Sequence, residues 1–146
     1  MAANHLHPET PNLIAGAKAG DIRAVTAALK ARADIEARDE HGFTALHWSV
    51  LHGHRGVARK LLDMGANVDS RCNKRASALH LVCHKGDEVV ASKLLARGAN
   101  VDAMDNHSLT PLMLASRQGH TGLVEIFIGA GATIGLKDAI TYLMRQ

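Results

Sequence analysis

The feature that most constrains this chain is a repeat of 33 residues. Leu13, Leu46, Leu79 and Leu112 fall at that spacing, as do Gly20, Gly53, Gly86 and Gly119, and Ala33, Ala66, Ala99 and Ala132. Three columns are thus invariant in four copies without a gap. Others hold by type: Val25, Ala58, Ala91 and Val124; Leu29, Leu62, Leu95 and Ile128; Ile35, Val68, Val101 and Ile134. A period of this length marks a solenoid, in which a unit cannot bury its apolar face alone and stacks on its neighbours.

Within a unit the residues read as helix, turn, helix and an extended arm. The spacing predicts first helices over 45–52, 78–85 and 111–118. Thr44, Ser77 and Thr110 precede them as N-caps, whose hydroxyls can satisfy a free backbone N–H. Pro111 stands at the first helical position, where its missing N–H costs nothing. Gly20, Gly53, Gly86 and Gly119 predict left-handed helix ends, and Gly65, Gly98 and Gly131 do the same for the second helices. Val57, Ala58, Leu61 and Leu62 recur at one-face helical spacing in such a second helix, over 56–64. Extended stretches follow, Ala66-Asn67-Val68-Asp69 and Ala99-Asn100-Val101-Asp102, which predict a β-hairpin arm leading into the next unit.

The second unit carries Asp39-x-x-Gly42-x-Thr44-Ala45-Leu46-His47-Trp48, then Gly53-His54, Leu61-Leu62 and Gly65-Ala66-Asn67-Val68-Asp69. The third has Ser77-Ala78-Leu79-His80, and the fourth Thr110-Pro111-Leu112-Met113-Leu114-Ala115. This pattern resembles the ankyrin repeat over about residues 12–136. The resemblance implies an all-α repeat solenoid, an ankyrin helix-turn-helix stack with β-hairpin arms. The expected organisation is a tail at 1–11, a capping repeat at 12–37, repeats at 38–70, 71–103 and 104–136, and a capping helix at 137–146. Leu136, Ile140, Leu143 and Met144 would line one face of that last helix.

Aromatics make up only 3% of the chain, so the core must be aliphatic and built from small residues. Two cysteines, Cys72 and Cys83, are too few for a disulfide framework and fit a reducing, cytoplasmic or nuclear compartment. The opening residues lack the basic and apolar segments of a signal peptide, and no apolar run approaches membrane-spanning length. No membrane partner is expected.

Ten histidines invite a metal or catalytic reading. His47 and His80 occupy the signature position, and the resemblance implies that they bond backbone between neighbouring arms. His54 and His120 are expected to make helix-start and inter-repeat hydrogen bonds. His52, His84 and Cys72 are too scattered over the units to hold zinc. Cys83 shares a column with Val50 and Ser116 and reads as a core thiol, whereas Cys72 stands where Asp39 and Asp105 do and reads as more exposed. Asp21 and Asp87 read as helix-start residues favoured by the dipole. No nucleophile elbow or phosphate-binding loop is present. No enzymatic activity, metal or cofactor is therefore expected.

The resemblance places partner binding on the arm tips and the exposed face of the first helices, lining a concave groove. Unit two offers Arg38, Glu40, His41 and Phe43, with Leu51 and His52 from its helix. Unit three offers Arg71, Asn73, Lys74 and Arg75, with His84 and Lys85. Unit four offers Asn106, His107 and Leu109, with Arg117. Six of these residues are Arg or Lys against a single acid, Glu40, so the net charge of +3 is concentrated there and an acidic partner segment is expected. Phe43 and Leu109 share a column with Ala76 and read as apolar anchors flanking a shallow gap, while Trp48, in the column of Leu81 and Leu114, reads as interior. Arg75 and Ser108 replace the turn glycine at 42. If the backbone there stays left-handed, a non-glycine residue costs about 1–2 kcal/mol. Such a local violation at Lys74-Arg75 points to partner contact.

The expected function is a non-enzymatic protein-interaction module, an adaptor, inhibitor or targeting subunit, acting as a monomer. About four repeats can bury a standard interface of about 1,600 Å². The alternative is a nucleic-acid or phosphorylated-ligand binder using the same groove, which the scarcity of stacking aromatics disfavours.

Overall fold

A computed structural model of the chain describes residues 8–135. Eight helices run through the described residues in four pairs. They are α1 (Thr10–Ala19) with α2 (Ile22–Lys30), α3 (Ala45–Leu51) with α4 (Arg55–Asp63), α5 (Ala78–Lys85) with α6 (Glu88–Ala96), and α7 (Pro111–Gln118) with α8 (Thr121–Gly129). The odd-numbered helices pack in one row and the even-numbered helices in a second. Between pairs a finger projects, numbered by the repeat it opens: finger two at residues 38–44, finger three at 71–77 and finger four at 104–110. The capping helix expected at 137–146 lies outside the described residues.

The caps form as the sequence requires. The Thr44 and Thr110 hydroxyls accept the amides of His47 (3.3 Å) and Met113 (3.2 Å). Oδ1 of Asp21 accepts the amides of Arg23 and Ala24, and Oδ1 of Asp87 those of Val89 and Val90. Asp87 also pairs through Oδ2 with Arg55 Nε at 2.8 Å, which joins α6 to α4. His54 and His120 begin α4 and α8 without a side-chain cap bond, contrary to expectation. Their rings instead cover Gly20 and Gly86 of the repeat before. A Cβ at Gly20 would lie 2.8 Å from His54 Cγ, and one at Gly86 2.8 Å from His120 Cε1. Both glycines also have positive φ, 74° and 69°, so conformation and contact exclude a side chain together. The expected inter-repeat bond of His54 is present, with Nε2 at 3.0 Å from the Lys18 carbonyl.

The repeat columns are the core. Leu13, Leu46, Leu79 and Leu112 are all buried, as are Val25, Ala58, Ala91 and Val124. A further buried column grows along the stack, from Ala28 through Leu61 and Leu94 to Phe127. Cys83 is fully buried, and burial pushes its thiol pKa up to about 12. Cys72 is buried too, at 7% exposure, where the sequence suggested an exposed position. No helix among the described residues is long and apolar enough to cross a membrane.

The arms are not β-hairpins, and no strand occurs among the described residues. Each finger is a tight turn closed by two backbone bonds, such as Asp39 N–H to Phe43 O and Gly42 N–H to Asp39 O. A ladder does not extend because the remaining donors turn elsewhere. Asp39 Oδ1 takes the amides of His41 and Phe43, and the Asn73 and Asn106 amides reach the carbonyls of His41 and Lys74 on the preceding finger.

Bonds from one repeat to the next recur at the 33-residue spacing. Carboxylates of Glu36, Asp69 and Asp102 accept the backbone amides of Asn67, Asn100 and Thr133. The His47 ring accepts the Thr44 amide at Nδ1 (2.9 Å), which leaves the proton on Nε2, where it is donated to the Ser70 carbonyl at 2.9 Å. His80 likewise accepts the Ser77 amide at Nδ1 and donates from Nε2 to the Leu109 carbonyl at 2.8 Å.

This network requires neutral imidazoles. Burial lowers the His47 pKa from 6.5 to about 4, against the opposing effect of the Ser70 bond, and burial lowers that of His80 as well. Between those limits the unfolded chain binds a proton that the native state refuses, so stability falls as pH falls from 6.5 towards 4. The His47 contribution lost over that window is about 3 kcal/mol. Thermal melts followed by circular dichroism should show the midpoint dropping steadily from pH 6.5 to 4. His80→Ala should lower the midpoint at neutral pH and flatten part of that acid dependence, while partner affinity per folded molecule stays unchanged.

Candidate partner-binding face

The fingers and the odd-numbered helices present one continuous face. Finger three differs from both neighbours in the residue that braces its turn. Where fingers two and four carry Asp39 and Asp105, it carries Cys72. Asp39 and Asp105 each use Oδ1 to take two backbone amides of their own turn. Finger three has no such carboxylate, so nothing within residues 71–76 offsets Arg71, Lys74 and Arg75. Its turn also carries backbone strain, which it shares with finger four. Gly42 has φ 74°, and the same left-handed conformation is held by Arg75 at 62° and Ser108 at 61°. The condition set out from the sequence is met.

The basic residues expected on this face divide into two groups. The Arg38 guanidinium is committed to fold: Nη1 donates to the Gly42 carbonyl at 3.0 Å and to the Arg71 carbonyl of the next finger. Arg71 repeats the device, donating to the Met104 carbonyl at 2.6 Å. Asn73 donates from Nδ2 to the Glu40 carbonyl at 2.9 Å. These three side chains staple fingers together, so their donors are engaged in the stack as well as lying on the face expected for a partner. Lys74, Arg75, His84 and Lys85 remain exposed, and among the described residues the Lys74 and Arg75 side chains pair with nothing. Arg117, Asn106, His107, Glu40 and His41 are exposed as well.

Phe43, Ala76 and Leu109 are all half-buried along their column. His41, Phe43, Cys72, Asn73 and Lys74 line an open hollow of about 400 Å³ between fingers two and three. Phe43 also begins a run of rings that the sequence did not reveal. Its centroid lies 4.8 Å from that of Trp48, and Trp48 stacks on His52 at 5.4 Å with an interplanar angle of 19°. Trp48 is therefore half-buried on the face rather than interior. Its indole N–H donates to Asp39 Oδ2 at 2.7 Å. Burial works against the charge of the Asp39 carboxylate, but this bond, the two turn amides and His41 outweigh it and hold the pKa below the usual value. Lys18 of α1 places Nζ 4.5 Å from the indole centroid. Lys18 shares a column with Leu51, His84 and Arg117, so its place on the face was legible from the period. Among the described residues no three His, Cys, Asp or Glu side chains converge as metal ligands.

The family profile described as ankyrin repeats (3 copies) matches residues 3–72 and 65–138 of the chain. The chain belongs to the ankyrin-repeat family. Ankyrin repeats are generally protein-interaction modules without catalysis of their own. A segment of 55 residues is 40% identical to the protein named palmitoyltransferase AKR1 of Lachancea kluyveri, covering 38% of this chain and 8% of that protein. The match spans 8% of that protein's length and bears on the ankyrin segment alone.

The two turn positions make opposite predictions. Arg75→Gly relieves the left-handed strain at some entropic cost to the unfolded state, so a net gain of roughly 0.5–1 kcal/mol and a small rise in melting midpoint are expected. Gly42→Ala should destabilise by about 1–2 kcal/mol, because its φ is 74° and its Cβ would stand 2.7 Å from the Asn73 amide nitrogen. Denaturant titrations of the two variants measure both.

Proposed function

We propose that this chain is a non-enzymatic interaction module that binds an acidic segment of another protein across its fingers and odd-numbered helices, with finger three at the centre. The carrying observation is the Lys74-Arg75 tip. Two cations whose side chains have no partner among the described residues stand on a turn that has exchanged its aspartate for Cys72 and holds Arg75 at φ 62°. The Arg75 backbone closes the turn, but its side chain is held on a costly backbone conformation with the charged end left to solvent, where it adds nothing visible to the fold. An acidic side chain seated there would gain charge-assisted hydrogen bonds from both groups. The hollow beside Phe43 offers an adjacent apolar wall for the same segment.

The chain acts as a monomer in this reading, as an adaptor, inhibitor or targeting subunit. Its two buried free thiols fit a reducing cytoplasmic or nuclear setting. Nucleic acid in the same face is disfavoured, because Phe43 and Trp48 pack tilted against each other instead of standing free as platforms for bases.

Affinity purification coupled to mass spectrometry, with wild type beside Lys74→Glu/Arg75→Glu, tests the proposal and identifies the partner. The double reversal should weaken partner binding by well over tenfold and leave the melting curve unchanged. Equal recovery of the same partners by both proteins would overturn the assignment to finger three. Steeply salt-dependent binding to nonspecific DNA would replace the protein-segment reading with the nucleic-acid one.

A further inference from the structure

The rings around Trp48 lie beside a second concentration of charge, one that finger three does not account for. Lys18 from α1, His52 at the end of α3, His54 before α4, and His84 and Lys85 at the end of α5 come from three successive repeats. Lys18 Nζ sits over the indole at 4.5 Å, and His52 stacks on it at 5.4 Å. The His54 ring is 6.0 Å from that of His52.

The charged and titratable groups that act on His52 are His54, Lys85, His84 and Lys18, every one of them basic. The nearby carboxylate, Asp39, is already occupied by the indole N–H and two turn amides. Burial comes first and this set of cations second in holding the His52 pKa below that of an ordinary histidine. Lys18, His52, His84 and Lys85 are nevertheless all exposed, so a ligand can reach them. Lys18 gains a cation–π contact with the indole and His52 a stack on it, yet the like charges gathered around that aromatic floor repel one another. A single anion placed among them attracts each cation and offsets their mutual repulsion.

We propose that the basin around Trp48 is a second anion subsite, which seats a carboxylate of the acidic segment and takes up a solvent proton at His52 as it does so. The inference rests on the acidic-segment reading and divides that segment between two contacts, finger three and the basin. Its signature is a pH dependence with a definite sign. An anion in the basin raises the His52 pKa towards or above its ordinary value, so binding and protonation favour each other. Affinity therefore rises as pH falls through the histidine range.

The test uses the full chain and a rhodamine-labelled decaglutamate as probe, with a glycine-serine decapeptide as neutral control. Anisotropy gives affinity at pH 8 and pH 6, and the emission of Trp48, the chain's one tryptophan, reports occupancy of the basin. Wild type should bind decaglutamate about fivefold or more tightly at pH 6 than at pH 8. Trp48 emission should change on binding, and the control should do neither. His52→Gln should bring the ratio of the two affinities close to one, with a melting curve confirming that it is folded.

A wild-type ratio of one, a silent Trp48, or an undiminished ratio in His52→Gln overturns the basin. Lys74→Glu/Arg75→Glu, measured beside it, separates the two readings. Loss of binding in that variant with a wild-type ratio of one leaves finger three standing and removes the basin. Full binding in that variant with the His52-dependent ratio intact removes finger three and keeps the basin. No binding of decaglutamate by wild type at either pH rejects both.

Discussion

The bond from His47 to the Ser70 carbonyl joins one repeat to the next, and much of the stack follows from it. The ring must be neutral, must carry its proton on Nε2, and must be buried for the bond to hold its strength. Those requirements fix the Thr44 amide on Nδ1, which fixes where α3 begins. They also fix the height of finger three above finger two, and so set the level at which Arg38 and Asn73 reach across. A finger has too few residues to satisfy its own backbone, so it borrows from the finger beside it. The repeat is thus a unit of sequence but not a unit of stability.

Much of the fold was legible because the period of 33 residues separates what must stay from what can vary. The Leu13 column, the turn glycines and the threonine caps were read correctly, since each has a chemical reason that is local. The misreadings share a cause. The second role of Arg38 and Arg71 was missed because their acceptors are main-chain carbonyls of the next finger, which leave no mark in the residue letters. Trp48 looked interior because its column mates are leucines, yet all three positions of that column are half-buried. Cys72 looked exposed because aspartates occupy its column, but those aspartates point into their own turns. Lys18 was passed over because it lies in the atypical first repeat, although it shares a column with His84.

The same logic shows why the face can be charged without cost to the stack. The bonds that hold finger to finger use main-chain carbonyls and amides and the side chains of Arg38, Arg71 and Asn73. Lys74 and Arg75 lie outside that network in their side chains, though the Lys74 carbonyl still serves it by accepting the Asn106 amide. Finger three can therefore exchange its tip chemistry while its main chain continues to carry the next finger.

The column that grows from Ala28 through Leu61 and Leu94 to Phe127 gives the solenoid an uneven backbone of strength. Each replacement of a buried alanine by a leucine adds roughly 2 kcal/mol of burial. In a chain where stability is a sum over neighbours, such a gradient sets a direction. Folding should begin at the heavy end, around α6 and α8, and reach α1 and α2 last. The first helix pair is then the end that frays, opening and closing on its partner repeat while the rest stays folded. Lys18 stands on α1, so one wall of the face should open with that pair whenever it frays.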